Sequence, residues 1–126
     1  MDSKKKILVI DDDPDILEIC RIALEPAGYG VTGAPSAAEG KAAVGATAPD
    51  FVILDIMMEE ADSGLQLAHW LHEQHPDLPV MLMSSILNAG AAVFDINSVP
   101  AAIRVNKPLS PKEIVAQVTD LLERKA

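Results

Sequence analysis

Short apolar runs alternate along the chain with longer segments whose apolar residues return every three or four positions. The first run, Lys6–Ile10, stops abruptly in Asp11-Asp12-Asp13. Asp13-Pro14 offers an N-cap with proline at the first helical position, and Ile16, Cys20, Ala23 and Ala27 follow at helical spacing. Pro26 and Gly28 stop that helix, and a weaker strand, Tyr29–Ala34, is diluted by Gly30 and Gly33. Ser36-Ala37-Ala38-Glu39 has capping-box spacing and predicts a second helix to about Ala46. Phe51–Leu54 is a third strand ending in Asp55, and the polar stretch 59–63 reads as a loop. Leu65, Ala68, Trp70 and Leu71 mark a third helix that ends before Pro76. Pro79 opens the strand Val80–Met83, which ends in Ser84, and Ile103–Asn106 ends in Lys107-Pro108. Ser110-Pro111-Lys112-Glu113 is a second capping box, followed by Ile114, Val118, Leu121 and Leu122, with Arg124 and Lys125 complementing the helix dipole. Asn88, Gly90, Asn97 and Pro100 leave only a short or irregular fourth helix within 86–100.

Strands alternating with helices predict parallel pairing through βαβ crossovers. The expected fold is therefore α/β: a five-stranded parallel sheet, doubly wound with about five helices in a flavodoxin-like three-layer α/β/α arrangement. Residues 1–126 suit one domain with a single set of cores.

Composition narrows the function classes. The net charge of −9 disfavours direct binding to nucleic acid or to an anionic membrane surface, both of which call for basic residues. Cys20 is the single cysteine, so no internal disulfide forms, and no apolar stretch reaches bilayer length. A cytoplasmic protein is the expectation. His69, His72 and His75 fall at three-residue intervals on the third helix, a spacing that drifts around the helix and reads as a solvated face rather than a metal site. Cys20 reads as core and Trp70 as a half-buried anchor.

The chemistry gathers where strands end. In a parallel sheet the carboxyl ends of the strands share one edge, which would bring Asp11, Asp12, Asp55, Ser84 and Lys107 together. Crowded carboxylates repel, and a hard divalent cation with a preference for oxygen ligands relieves that repulsion. Lys107 would add a point positive charge, Ser84 a hydroxyl donor, and a carboxylate can accept a phosphoryl group covalently. Each feature alone has an ordinary reading. An Asp cluster is usually a turn with a helix cap, Lys-Pro a turn, and Ser a common strand end. Their joint placement at successive strand ends is what points to phosphoryl chemistry.

These residues resemble the receiver domain of two-component response regulators, in the manner of a stand-alone chemotaxis receiver. The resemblance rests on Ile7-Leu8-Val9-Ile10-Asp11-Asp12-Asp13, on Val52-Ile53-Leu54-Asp55-Ile56-Met57-Met58, and on Ser84 and Lys107-Pro108. It implies that Asp55 is the phosphoacceptor. It further implies that Asp11, Asp12, Asp55 and the Met57 backbone carbonyl hold Mg²⁺ or Mn²⁺, and that Ser84 and Lys107 contact the phosphoryl oxygens. The implied partners are a sensor histidine kinase or phosphotransfer protein and an unidentified downstream protein. The implied state is a monomer or a phosphorylation-dependent dimer, and the protein would not be an enzyme, catalysing only its own phosphorylation and dephosphorylation. The chain would act alone or as a piece of a longer regulator or hybrid kinase.

The sequence departs from the family pattern in three places. Glu59 stands where proline is usual, the loop 60–64 is one residue longer than is common, and Arg104 replaces the usual aromatic switch residue. A guanidinium entering an apolar pocket carries a large desolvation cost, so Arg104 is expected at the partner surface. It motivates an alternative, a receiver-fold module that binds partners with little phosphorylation-driven switching. A haloacid-dehalogenase-type phosphatase using Asp11 ranks lower, since no acidic pair follows Lys107 to complete its metal site.

Met57 and Ile86 flank the site at positions that, in the family, govern access of hydrolytic water. Both are apolar, so the phosphorylated chain should lose its phosphoryl group slowly. A Met57→Asn, Ile86→Glu double variant should lose it several-fold faster by intact-mass time course; equal rates would remove the idea.

Overall fold

Strand β1 (Lys6–Ile10) lies between β2 (Gly30–Ala34) and β3 (Phe51–Asp55), and β4 (Val80–Ser84) and β5 (Ile103–Asn106) continue the sheet beyond β3. These elements come from a computed structural model that describes residues 5–55, 63–84, 103–106 and 110–125. Every pairing is parallel, and the strand order is β2-β1-β3-β4-β5 in a five-stranded sheet. The chain steps outward from β1 to β2, then returns past β1 to β3. The direction of winding thus reverses between β1 and β3, and a crevice opens there at the carboxyl ends of the strands.

Four helices are present among the described residues: α1 (Pro14–Leu24), α2 (Ala37–Thr47), α3 (Ser63–Gln74) and α4 (Pro111–Lys125). Successive strand side chains point to opposite faces, and both faces of the sheet's middle are covered, which is why β1, β3 and β4 are nearly continuous apolar runs rather than alternating ones. On one face Cys20 and Leu24 of α1, with Ile114, Val118 and Leu121 of α4, pack on Ile7, Val9, Phe51, Ile53, Met81 and Met83. On the other, Val44 of α2 and Leu67, Ala68 and Leu71 of α3 pack on Leu8, Ile10, Val52, Leu54 and Leu82. This is the flavodoxin-like α/β arrangement expected from the sequence. Cys20 is wholly buried. Trp70 is half-buried, edge-on to His75 at 5.6 Å, with the Lys41 ammonium 4.9 Å from its ring centre.

Local chemistry fixes the helix starts. The Asp13 carboxylate accepts the Asp15 N–H at 2.9 Å to cap α1, with Pro14 next in sequence. Ser36 accepts the Glu39 N–H at 3.1 Å to cap α2. At α4 both halves of the capping box form, Glu113 N–H to Ser110 Oγ at 3.2 Å and Ser110 N–H to Glu113 Oε1 at 3.1 Å.

Several boundaries differ from the sequence reading. Helix α1 ends at Leu24, short of Ala27 in the apolar spacing, and Pro26, read as a stop, has no N–H to continue the ladder. The chain leaves through tight turns, Ala27 N–H to Leu24 O at 3.1 Å and Gly28 N–H to Glu25 O at 3.0 Å, and Gly28 takes φ +103. Strands β3 and β4 each run one residue further than their apolar runs, because backbone pairing continues through Asp55↔Met83 and Ser84↔Asn106. Helix α3 begins at Ser63, inside the stretch read as loop. The helix expected within 86–100 lies outside the described residues.

Close packing of α2 on β1 sets up a paired test. A Cβ on Gly40 would lie 2.7 Å from Cδ1 of the fully buried Ile10 and 2.9 Å from its Cγ1, whereas one on Gly45 would meet nothing within 4 Å. Gly40→Ala should cost about 1–3 kcal/mol by overpacking, despite its better helix propensity. Gly45→Ala should stabilise by about 0.5–1 kcal/mol. Urea-unfolding midpoints that move in the same direction would contradict this packing.

The α4 capping box carries a pH dependence. Hydrogen bonds from the Ser110 backbone N–H and hydroxyl hold the Glu113 carboxyl below its ordinary range. A depressed folded-state pKa contributes stability above the unfolded value, and that contribution is lost as pH falls through the folded value. The Tm advantage of the parent over Glu113→Gln should therefore be full at neutral pH and shrink on acidification below the usual glutamate range. A pH-independent difference would show that ionisation plays no part.

Candidate functional site

Asp11 follows the last residue of β1, and Asp55 is the last residue of β3. The register pairs Ile10 with Leu54, so the two aspartates come next in line on adjacent strands at the point where the winding reverses. The Asp11 N–H donates to the Ala34 carbonyl at 3.0 Å, tying the end of β1 to β2. Asp11 is wholly buried, Asp55 is 2% exposed, and Asp12 is open to solvent. One carboxylate oxygen from each of the three lies within 4.8 Å of the others.

The three consecutive aspartates therefore divide their work. Asp11 and Asp12 enter the cluster, while Asp13 turns to cap α1. The Asp13 backbone N–H donates back to Asp11 Oδ1 at 2.9 Å. Sequence reasoning found the Asp13 cap and missed this second bond, since nothing in residue type announces where a backbone N–H will point.

The chemistry of the donor set suits a hard cation. At an effective dielectric of about 20, two carboxylate charges roughly 5 Å apart repel by on the order of 3 kcal/mol. Mg²⁺ with oxygens at about 2.1 Å spaces neighbouring ligands about 3 Å apart and opposite ones about 4 Å apart. The trio is thus near the spacing of shared ligands, and it contains oxygen donors only. Zinc favours nitrogen and sulfur donors, and no histidine or cysteine joins the group. Among the described residues this trio is the one cluster of three or more metal-ligating side chains. His69 and His72 are exposed on α3, and His75 packs against Trp70.

The other expected site residues are reached in part. Ser84 ends β4 one position beyond Met83, the register partner of Asp55, so its backbone belongs to the same edge of the sheet. Arg104 is paired in register with Leu82. The side chains of Ser84 and Arg104 lie outside the described residues, as do Met57 and Lys107; Lys107 is the residue after Asn106, the end of β5. A shallow cavity of about 590 Å³ lies at the opposite, amino-terminal edge of the sheet, between Val44, Ala48, Asp50, His75 and Leu78, and shares no residue with the trio. No helix among the described residues is long and apolar enough to cross a membrane.

Comparison with known proteins agrees with this geometry. The family model of the response regulator receiver domain matches residues 7–119. The chain is 37% identical over 121 residues to the probable transcriptional regulatory protein TcrX of Mycobacterium tuberculosis, covering 94% of this chain and 50% of that protein. It is 32% identical over 120 residues to the response regulator SaeR of Staphylococcus aureus, with the same coverage of 94% and 50%. The chain spans about half the length of these curated relatives. Among solved structures, a receiver domain protein from Methanospirillum hungatei superposes with a TM-score of 0.84 at 27% identity, covering 98% of this chain and 97% of that one. The receiver domain of NtrX from Brucella abortus superposes with a TM-score of 0.81 at 31% identity, covering 93% and 98%. The chain belongs to the response regulator receiver domain family.

Proposed function

We propose that this receiver domain is a phosphorylation-controlled switch whose Asp55 takes a phosphoryl group from the phosphohistidine of a sensor histidine kinase or phosphotransfer protein. The observation that carries this reading is the meeting of Asp11, Asp12 and Asp55 within 4.8 Å at the carboxyl edge of the sheet. Asp11, Asp12, Asp55 and the Met57 backbone carbonyl would hold Mg²⁺ or Mn²⁺. Once bound, the cation supplies positive charge that offsets the carboxylates and the incoming phosphoryl oxygens. An Asp55 carboxylate oxygen bonds to phosphorus as the phosphorus–nitrogen bond of the donor breaks and its electron pair leaves with the imidazole. The chain's own contribution is alignment and charge, which is what phosphoryl transfer chiefly requires. Ser84 donates its hydroxyl to a phosphoryl oxygen, and Lys107 provides a fixed positive charge. The chain acts catalytically on itself alone, and later hydrolysis of the acyl phosphate resets it.

Phosphorylation biases only those states that contact the phosphoryl group differently. Moving a two-state balance from one extreme to the other requires about 5.5 kcal/mol. Hydrogen bonds to a charged group contribute about 1.5–3 kcal/mol each. The Ser84 and Lys107 contacts together are therefore of the size a switch needs. The output surface includes Arg104 and engages a downstream protein, as a monomer or a phosphorylation-dependent dimer, in the cytoplasm.

Acetyl phosphate with Mg²⁺ should add one phosphoryl mass to the intact chain, and Asp55→Asn or removal of the cation by chelation should abolish the addition. A phosphoryl group on Asp11, with turnover of a generic phosphate ester, would favour a haloacid-dehalogenase-type phosphatase instead. Uptake on Asp55 with an unchanged NMR spectrum around residues 103–106 would favour a binding module that does not switch.

A further inference from the structure

Asp13 lies outside the acidic trio, yet it is held more firmly than its exposed position suggests. Its carboxylate accepts the Asp15 N–H at 2.9 Å, and its carbonyl accepts the N–H groups of Ile16 at 3.1 Å and Leu17 at 3.3 Å. Its φ of −92 and ψ of 112 are the extended values of an N-cap, which turn the backbone out of the helical direction. In that conformation its own N–H donates to Asp11 Oδ1 at 2.9 Å. Two side-chain-to-backbone turns thus follow one another, Asp11 to Asp13 and Asp13 to Asp15, and the second holds the donor of the first.

We propose that Asp13 is a positioning residue: by capping α1 it keeps its N–H against the Asp11 carboxylate, and so fixes the rotation in which Asp11 presents an oxygen to the cation. This rests on the reading of the trio as a magnesium site. A carboxylate on a flexible bend loses orientational freedom when it binds a metal. One already held by an N–H donor has lost that freedom in advance, and such outer supports typically change metal affinity by about 10–100-fold. The helix transmits the order, since α1 is anchored through Cys20 and Leu24 in the core beneath the site. Asp11 and α1 are thereby coupled through a single peptide unit.

Mg²⁺ titration by calorimetry on the whole chain tests the idea, with hydrogen exchange of the Asp13 amide as a second readout. Asp13→Ala should weaken Mg²⁺ binding by on the order of tenfold and speed exchange at that amide. Asp13→Ser, which caps nearly as well without the charge, should stay within about twofold of the parent. Ser110→Ala removes a cap of the same kind from α4 and should lower Tm while leaving Mg²⁺ affinity unchanged. Should Asp13→Ala not fold, Asp13→Gly, which also removes the capping carboxylate at a smaller cost to the helix, replaces it. Parent-like affinity in Asp13→Ala or Asp13→Gly would overturn the proposal while the magnesium site stands. Asp13→Ser binding as weakly as Asp13→Ala would also overturn it, by showing that charge rather than capping matters. A parent chain that binds no Mg²⁺, or an Asp12→Asn variant that binds like the parent, would instead remove the reading on which it rests.

Discussion

Two carboxylates, almost sealed from water, stand side by side at the ends of adjacent parallel strands, and the described elements around them hold those strand ends in place. Asp11 and Asp55 are set there by the register of β1 against β3, in which Ile10 and Leu54 form the last apolar row beneath them. A parallel register with both faces buried cannot slip by one residue without exchanging the two cores, so the register is strongly specified. Hydrophobic packing on both faces of the sheet thereby holds the two carboxylates side by side against their repulsion. Asp12, on the exposed side, completes the trio without a comparable burial cost.

That arrangement explains why the supporting structure is tight where it is. Gly40 of α2 lies so close to Ile10 that a methyl group would overlap it, and Ile10 is the residue from which Asp11 departs. On the opposite face the Tyr29 hydroxyl and Thr119 Oγ1 meet at 2.8 Å, tying the entry to β2 to α4. The end of β1 is therefore held from the α2 side by packing, from β2 by the Asp11–Ala34 backbone bond, and from α1 by the Asp13 amide.

Much of this was legible in the sequence, for reasons that differ from element to element. The caps at Asp13, Ser36 and Ser110 were readable because capping is settled by chemistry within a few residues. The strands were readable because continuous apolar runs have few alternatives in a chain that alternates them with capped helices. The meeting of Asp11, Asp12 and Asp55 was readable only through the inferred parallel order, since residues some forty positions apart carry no local signal of contact. The exact ends were less accessible. Asp55 belongs to β3 because strand pairing ignores side-chain polarity, and Ser63 starts α3 although its neighbours look like loop. The stop of α1 was readable from Pro26 and Gly28, while its exact last residue, Leu24, was not, because the apolar spacing continues to Ala27. The bond from the Asp13 amide to Asp11 was not readable at all, because it depends on backbone direction rather than residue identity.

On the proposed reading, the same repulsion has a functional sense. A trio of oxygen donors that is strained when bare gains most from a ligand bringing positive charge, so cation binding and the folded state reinforce one another by mass action. A phosphoryl group on Asp55 would then add negative charge, and it would carry a signal only if its positive partners offset that charge unequally in different conformations, because a contact made equally in both states shifts neither. The departure at Arg104 therefore bears on how the signal leaves, not on whether the phosphoryl group arrives. On that reading arrival would rest on the ends of β1 and β3, whereas Arg104 stands on β5, in register with Leu82 two positions before Ser84.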